Sequence, residues 1–551
     1  MNSKHELILI WLFAILGTAP ILIVDYMPSH DGPAHVYLGQ VLRLFDESPL
    51  FGAYFSENWN FQPNLFVYAL LQPLLSLFSP GVAEKAIAIL YVLLIPCATI
   101  ALANALRQSR LVLYLLLWPM LYGFMFFFGF YNFCFSLLLA LIGLAQWRRL
   151  RRTNAFRDMI LLFLVSLAAY FTHLFPTANL LLIVGAGTVA HTLQATSGTR
   201  IGARVAHLFK TGWRPALALS PIFALIVFFV VQNAGAGPSQ GVDYGFAIRV
   251  THLSLMSFNL AYAPMDAAFS IVLLIIFSSV FLTRDRDPRP GASWKSKGDF
   301  FVFSVLTIVY SVLFFIIPAT LAGSTFVFDR LLPFLYLALA LTIVCADLNN
   351  RQRRILVCGL IAVGAALPVY RGYQFYQLDR FLAPFHRIAA NIQPSHTILA
   401  VRGAPFPHQS VLWTPYFRVN TPLNASTMAA AEKHLVDLKV VQANTRKAPL
   451  RYRDDRNPYW FLPANQMAYP ARTGFRTSEN LRLEASTPDL DFTGYRLRSG
   501  GHVDYLLVWG PVAAYENTAA GKAFLAMVAR AFKPVEIEDG ADFLRLYKAR
   551  K

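Results

Sequence analysis

Charge is what this chain has least of. Charged residues fill 14% of its 551 positions and hydrophobic ones 56%, whereas soluble domains carry roughly 25% charged residues. Long apolar runs recur through residues 7–371. A soluble protein with one large core is thereby excluded, and a polytopic membrane protein, mainly α, is predicted. Cysteine is nearly as scarce. Cys97, Cys134, Cys345 and Cys358 all fall in apolar runs and no CxxC occurs, which argues against a disulfide framework or a cysteine zinc site. No P-loop, GxGxxG or GxSxG is present, so neither a nucleotide cradle nor a strained serine nucleophile is expected. Acidic residues are outnumbered by basic ones, 30 to 48, for a net charge of +18. That excess does not point to nucleic acid. Much of it lies in short loops between apolar runs, where Lys and Arg set membrane orientation.

Eleven spans are predicted, near 7–24, 86–106, 111–128, 131–147, 158–174, 176–194, 215–232, 266–283, 300–320, 331–347 and 355–370. The first is long enough to be a span rather than a removed signal. The N-terminal stub and the loops at 107–110, 148–157, 195–214, 284–298 and 348–354 hold 20 Lys and Arg, while the opposite-side segments before residue 371 hold four: Arg43, Lys85, Arg249 and Arg330. This predicts a bacterial cytoplasmic-membrane protein with its N-terminus inside. It also requires segment 63–79, with its central Pro73, to lie along the outer interface rather than span. Residues 1–371 are then the transmembrane domain, with outer loop one at 25–85. Residues 372–551 form an extracytoplasmic domain, where strand-like TILAV (397–401) and VDYLLVWG (503–510) alternate with helix-like 518–532, a small α/β pattern. The Pro-, Gly- and Arg-rich stretch 284–298 reads as a loose cytoplasmic loop.

Loop one carries the chemistry. Asp25, His30, Asp31 and His35 follow the first span within eleven positions. The stretch 33–45 is helix-like, Pro33 starts it, and Asp31 sits at its N-terminus, where the helix dipole favours an ionised carboxylate. An ionised Asp31 suits a general base; capping the helix is the plainer role. His30, Asp31 and His35 also admit a divalent metal, but the spacing is not HExxH and no metal site is assigned. His173, in YFTHLFP, stands at the outer end of the fifth span, either as an interfacial hydrogen-bonding residue or as a donor to a phosphate. Asp329 and Arg330 open the tenth span in VFDRLLPF. Arg330 can clamp a phosphate bidentately or pair with Asp329 at the interface. Asp243, Tyr244 and Asp266 share that side without a motif.

This layout resembles the GT-C superfamily of membrane glycosyltransferases, in the style of protein O-mannosyltransferases and lipid A aminoarabinose transferases. HDGPAHVYLGQVL resembles the acidic motif of the family's first outer loop. Gln62-Pro63-Asn64-Leu65 and FVYALLQPLLSLFS resemble its interfacial helix, AEKAIAILYVLLIPCATIALANALRQSR its second span, and DRLLPFLYLALAL its arginine-led later span. Three positions depart: Gly32 where many relatives have Glu, Asn64 where Pro is usual, and His173 near the place of a lysine. The resemblance implies a polyprenyl-phosphate sugar donor in the bilayer and a glycan, lipid or protein acceptor on the extracytoplasmic face. It implies Asp31 as general base, inversion at the anomeric carbon, and Arg330 and His173 on the donor phosphate. The competing readings are a non-catalytic GT-C-like envelope assembly protein and a lipid or sugar transporter. Transporters commonly carry internal repeats and midplane sites, and this sequence shows no such repeat.

Overall fold

The computed structural model describes residues 3–233, 246–254, 264–282, 294–318, 326–346, 348–402, 421–444, 448–460, 490–509, 516, 519–537 and 543–550. Apolar helices dominate residues up to 387. They are α1 (Ser3–Leu22), α5 (Pro80–Leu106), α6 (Arg110–Leu121), α8 (Tyr131–Thr153), α9 (Phe156–Thr172), α10 (Leu174–Ala195), α11 (Ile201–Asn233), α13 (Pro264–Leu282), α14 (Trp294–Ile316), α15 (Val327–Cys345) and α16 (Asn350–Arg387). Each occupies one of the eleven expected segments. Among the described residues, eight helices are long and apolar enough to cross a membrane. α15 and α8 are the most enclosed of these and α11 the least. On α11, Ile201, Val205, Phe209, Trp213 and Leu217 are exposed; their four-residue spacing makes one apolar face suited to lipid.

Two sequence readings need correction. The run 111–128 is not one helix. α6 ends at Leu121, Gly123 is extended (φ −119°, ψ −158°), and Phe124–Phe127 forms a separate turn, α7. Glycine's freedom permits the break, and it turns the aromatic run toward loop one. The stretch 284–298 is not wholly a loop either, since α14 already begins at Trp294; residues 283–293 lie outside the described residues, as do Asp243 and Tyr244.

Loop one is ordered by three helices, of which α3 (Pro49–Tyr54) is a short one. α2 (Gly32–Arg43) starts on Pro33, whose missing N–H costs nothing in a first turn. α4 (Phe66–Leu77) buries Val67, Tyr68, Leu71 and Leu75, while Phe66, Leu77 and Phe78 remain exposed. Asn132 Oδ1 accepts the Val67 N–H at 3.0 Å and its amide donates to Asn64 O at 3.3 Å. Asn64 itself has φ +71°, a conformation closed to proline, which explains the Pro63-Asn64 departure.

The C-terminal sheet has the order β3-β2-β5-β7-β6, from β2 (Thr397–Arg402), β3 (Val436–Asp437), β5 (Tyr505–Trp509), β6 (Phe532–Val535) and β7 (Leu544–Ala549). β3, β2 and β5 are parallel; β7 and β6 continue antiparallel. Every residue of β5 is buried, as parallel strands covered on both faces require. Loop one is built into this domain. β1 (Phe55–Glu57) pairs antiparallel with β4 (Leu450–Tyr452). α2 packs on α17 (Ala425–Lys433). Tyr37 Oη, on α2, donates to Leu435 O at 3.0 Å and accepts from Asp437 N at 2.9 Å. The sheet domain therefore sits directly on the segment carrying Asp31.

Candidate active site

Asp31 is fixed by its backbone first. Its N–H donates to Phe128 O at 2.8 Å, at the bend between α7 and α8. The next residue, Gly129, has φ +87°, and a Cβ there would stand 2.4 Å from Gly32 N. Both the conformation and the close approach require glycine. Gly129→Ala is expected to cost roughly 1–3 kcal/mol. A thermal unfolding midpoint equal to wild type in detergent would refute this packing.

The Asp31 side chain is 16% exposed. It occupies the N-cap position of α2 but accepts no hydrogen bond from that helix, so the capping role is not taken. It turns instead toward the C-terminal domain and α15. Oδ1 accepts from Asn424 Nδ2 at 3.4 Å, Gln442 hydrogen-bonds the carboxyl, and the Arg330 guanidinium acts on its charge. Burial outweighs these stabilising contacts and pushes the carboxyl up to about 7. The sequence reading of an acid held ionised by the helix dipole is therefore corrected: desolvation dominates, and the group is poised near neutrality.

His30 is buried and stacks on Phe128 at 4.2 Å, with Nε2 3.7 Å from Asp31 Oδ1. Burial, then Lys439, pushes it down to about 3. His35 lies one turn along α2, its Nδ1 2.9 Å from Tyr68 Oη, and burial pushes it down to about 4. Both rings are thus neutral near pH 7. Tyr68 is raised by burial and then by the Asp31 charge. Among the described residues, no group of three His, Cys, Asp or Glu is placed to hold a metal ion.

Arg330 lies in the first turn of α15, its guanidinium 4.8 Å from the Phe130 ring centre, a contact that favours a desolvated cation. Its Nε has no hydrogen-bond partner among the described residues. Asp31 acts on the Arg330 charge first and Asp329 after it; the Asp329 Oδ1 also meets His252 Nδ1 at 2.7 Å. One short aromatic segment, Phe124–Phe130, thus presents its backbone to Asp31 and a ring face to Arg330.

The remaining candidates are placed differently. His173 caps α10, its Nδ1 accepting from Phe175 N at 3.0 Å, and its ring meets Phe133 edge-on at 5.5 Å. Asp25 is exposed at the end of α1; its N–H and that of Tyr26 each donate to the Asp379 carboxylate at 3.3 Å. Asn424, Gln442, Tyr68 and Gly129 are site residues that sequence reasoning missed. Only Tyr68 carried a signal, as a polar-tipped aromatic in the apolar run that opens α4.

The helical bundle with its sheet domain on the segment carrying Asp31 is a polytopic membrane protein of the GT-C fold. One solved structure that shares this fold is ArnT from Cupriavidus metallidurans, crystallised bound to undecaprenyl phosphate. The match covers 99% of this chain and 98% of that one, with a TM-score of 0.50 and 11% sequence identity. No protein-family model and no curated protein matches the sequence.

Proposed function

We propose that the protein is a membrane glycosyltransferase that moves a sugar from a polyprenyl-phosphate donor to an acceptor hydroxyl on the extracytoplasmic face. The observation that carries this is that Asp31 and Arg330 meet on one aromatic segment, Asp31 through its N–H on Phe128 O and the half-buried Arg330 guanidinium over the Phe130 ring, where their charges act on one another. Both lie at helix ends, Asp31 against Asn424 and Gln442 of the C-terminal domain, on the face that the charge asymmetry predicts to be extracytoplasmic. The ArnT crystal structure contains undecaprenyl phosphate, the kind of lipid this arrangement would hold.

Without substrate, Asp31 and Arg330 serve as each other's counter-ion. An arriving donor phosphate takes Arg330 and leaves Asp31 as an unpaired base. The ionised carboxylate removes the acceptor hydroxyl proton as the oxygen bonds to the anomeric carbon. The bond from that carbon to the phosphate oxygen breaks on the opposite face, giving inversion. Arg330 stabilises the charge gathering on the departing polyprenyl phosphate. His173, with Nδ1 already accepting from Phe175, carries its ring proton on Nε2, the atom that would donate to the phosphate. Asn424 and Gln442 hold the Asp31 carboxyl. His30 and Tyr68 flank the same carboxyl and His35 holds Tyr68; Asp329 and Asp25 are supporting residues, on α15 and just past α1.

Loss of the protein should raise a polyprenyl-phosphate sugar and remove one modified envelope glycan, lipid or protein. Mass spectrometry of lipid-linked sugars and envelope fractions, with and without the protein, checks this; identical profiles would refute the activity. The base must be ionised, so kcat/KM should fall tenfold per unit as pH drops below about 7 and level off above it. A profile flat through that range would remove Asp31 as the base.

A further inference from the structure

We infer that Glu84 is a positioning residue for Asp31, acting through the backbone of Ser29–Gly32; this rests on the proposed role of Asp31. Glu84 sits in the second turn of α5 and is fully buried. Its Oε1 accepts from Ser29 Oγ at 2.6 Å and from Tyr131 Oη at 2.7 Å. Its Oε2 is also buried and has no hydrogen-bond partner among the described residues. A carboxyl so placed costs stability, and an apolar side chain of similar volume would be cheaper. What the carboxyl supplies is one fixed oxygen between two donors on different segments.

Those segments are the two that grip Asp31. Ser29 is on the Asp31 strand of chain, and Tyr131 follows the Phe128–Gly129 bend that receives the Asp31 N–H. Glu84 ties them together. Its Oε1 also fills the space above Gly32: a Cβ there would lie 1.8 Å from Oε1 and 2.2 Å from Ser29 Oγ. On the other side Gly129 comes within 2.4 Å of Gly32 N, measured from where its Cβ would stand. The peptide carrying Asp31 is clamped between α5 and the α7–α8 bend, with a carboxyl as the tie. Gly32 is then a glycine because a side chain there would displace Glu84.

The test titrates purified full-length protein with undecaprenyl phosphate at pH values on either side of about 7, the range where Asp31 titrates. Wild type should bind more weakly as pH rises, because ionised Asp31 competes for Arg330. Glu84→Ala should move the midpoint of that step by about one pH unit or more, a tenfold change in proton affinity. Glu84→Gln, which keeps an oxygen acceptor, should restore the wild-type midpoint. Should Glu84→Ala not accumulate, Ser29→Ala and Tyr131→Phe, each removing one donor, should shift the midpoint the same way by less. A lowered unfolding temperature with an unmoved midpoint in these variants overturns the inference and leaves Glu84 a merely structural group. A wild type with no step, or an Asp31→Asn variant that keeps it, overturns the Asp31 reading and this inference with it.

Discussion

Asp31→Asn should lower transfer by roughly 10²- to 10⁴-fold, the contribution of a positioned general base, while the protein still inserts and accumulates. The substitution is nearly isosteric. An amide can keep the contacts from Asn424 and Gln442 but cannot take a proton from an acceptor hydroxyl. Burial has already paid most of the desolvation that brings this carboxyl to about 7, so replacing it should not destabilise the fold. The check is the lipid-linked sugar and envelope profile of cells carrying the variant, with immunoblotting for the protein. Wild-type output from Asp31→Asn would remove it as the base. Loss of output in Asp25→Asn alone would move the role to a carboxylate that the structure leaves exposed.

Arg330→Gln should weaken undecaprenyl phosphate binding and slow transfer together, the latter by roughly 10²- to 10³-fold, as when one charge-stabilising donor is removed. A guanidinium offers a planar fork that matches phosphate, and this one is held desolvated over Phe130. Glutamine keeps a donor but loses the charge and the ring contact. The neighbouring Asp329 acts on Arg330 as well, after Asp31, while its Oδ1 meets His252. Arg330→Lys should recover only part of the loss, because an ammonium keeps the charge without the fork. Equal binding by wild type and Arg330→Gln, measured on purified protein, would take the phosphate away from this residue.

Much of the frame was legible in the sequence, for reasons that operate locally. Apolar runs of span length located the helices, and Pro33 located the start of α2. The marginal length of segment 63–79 separated α4 from the spans, and the structure shows it as the short helix Phe66–Leu77. Arg330 stood out because a cation opening an apolar helix is costly without a purpose. Less legible was anything set by contact between distant segments. Asn424 and Gln442 reach Asp31 from about 400 positions away, across a sheet domain whose register no local pattern gives. The ionisation of Asp31 was misjudged because the helix dipole can be read from sequence and burial cannot. For His173 the sequence offered a hydrogen-bonding role or a phosphate donor, and nothing in YFTHLFP announces that its Nδ1 caps α10. The break at Gly123 lay inside an apolar run with no polar residue to mark it. It nonetheless brings the aromatic segment to both Asp31 and Arg330.

The most direct measurement is the affinity of undecaprenyl phosphate for wild type and Asp31→Asn as a function of pH. Phosphate loses a proton near pH about 6 by itself, and that contribution is common to both proteins. If Asp31 and Arg330 are one reaction centre, wild-type affinity should fall by up to about tenfold per unit as pH rises through about 7. In Asp31→Asn that step should be missing and binding at high pH should be tighter than in wild type. Superimposable pH curves for the two proteins would contradict the assignment.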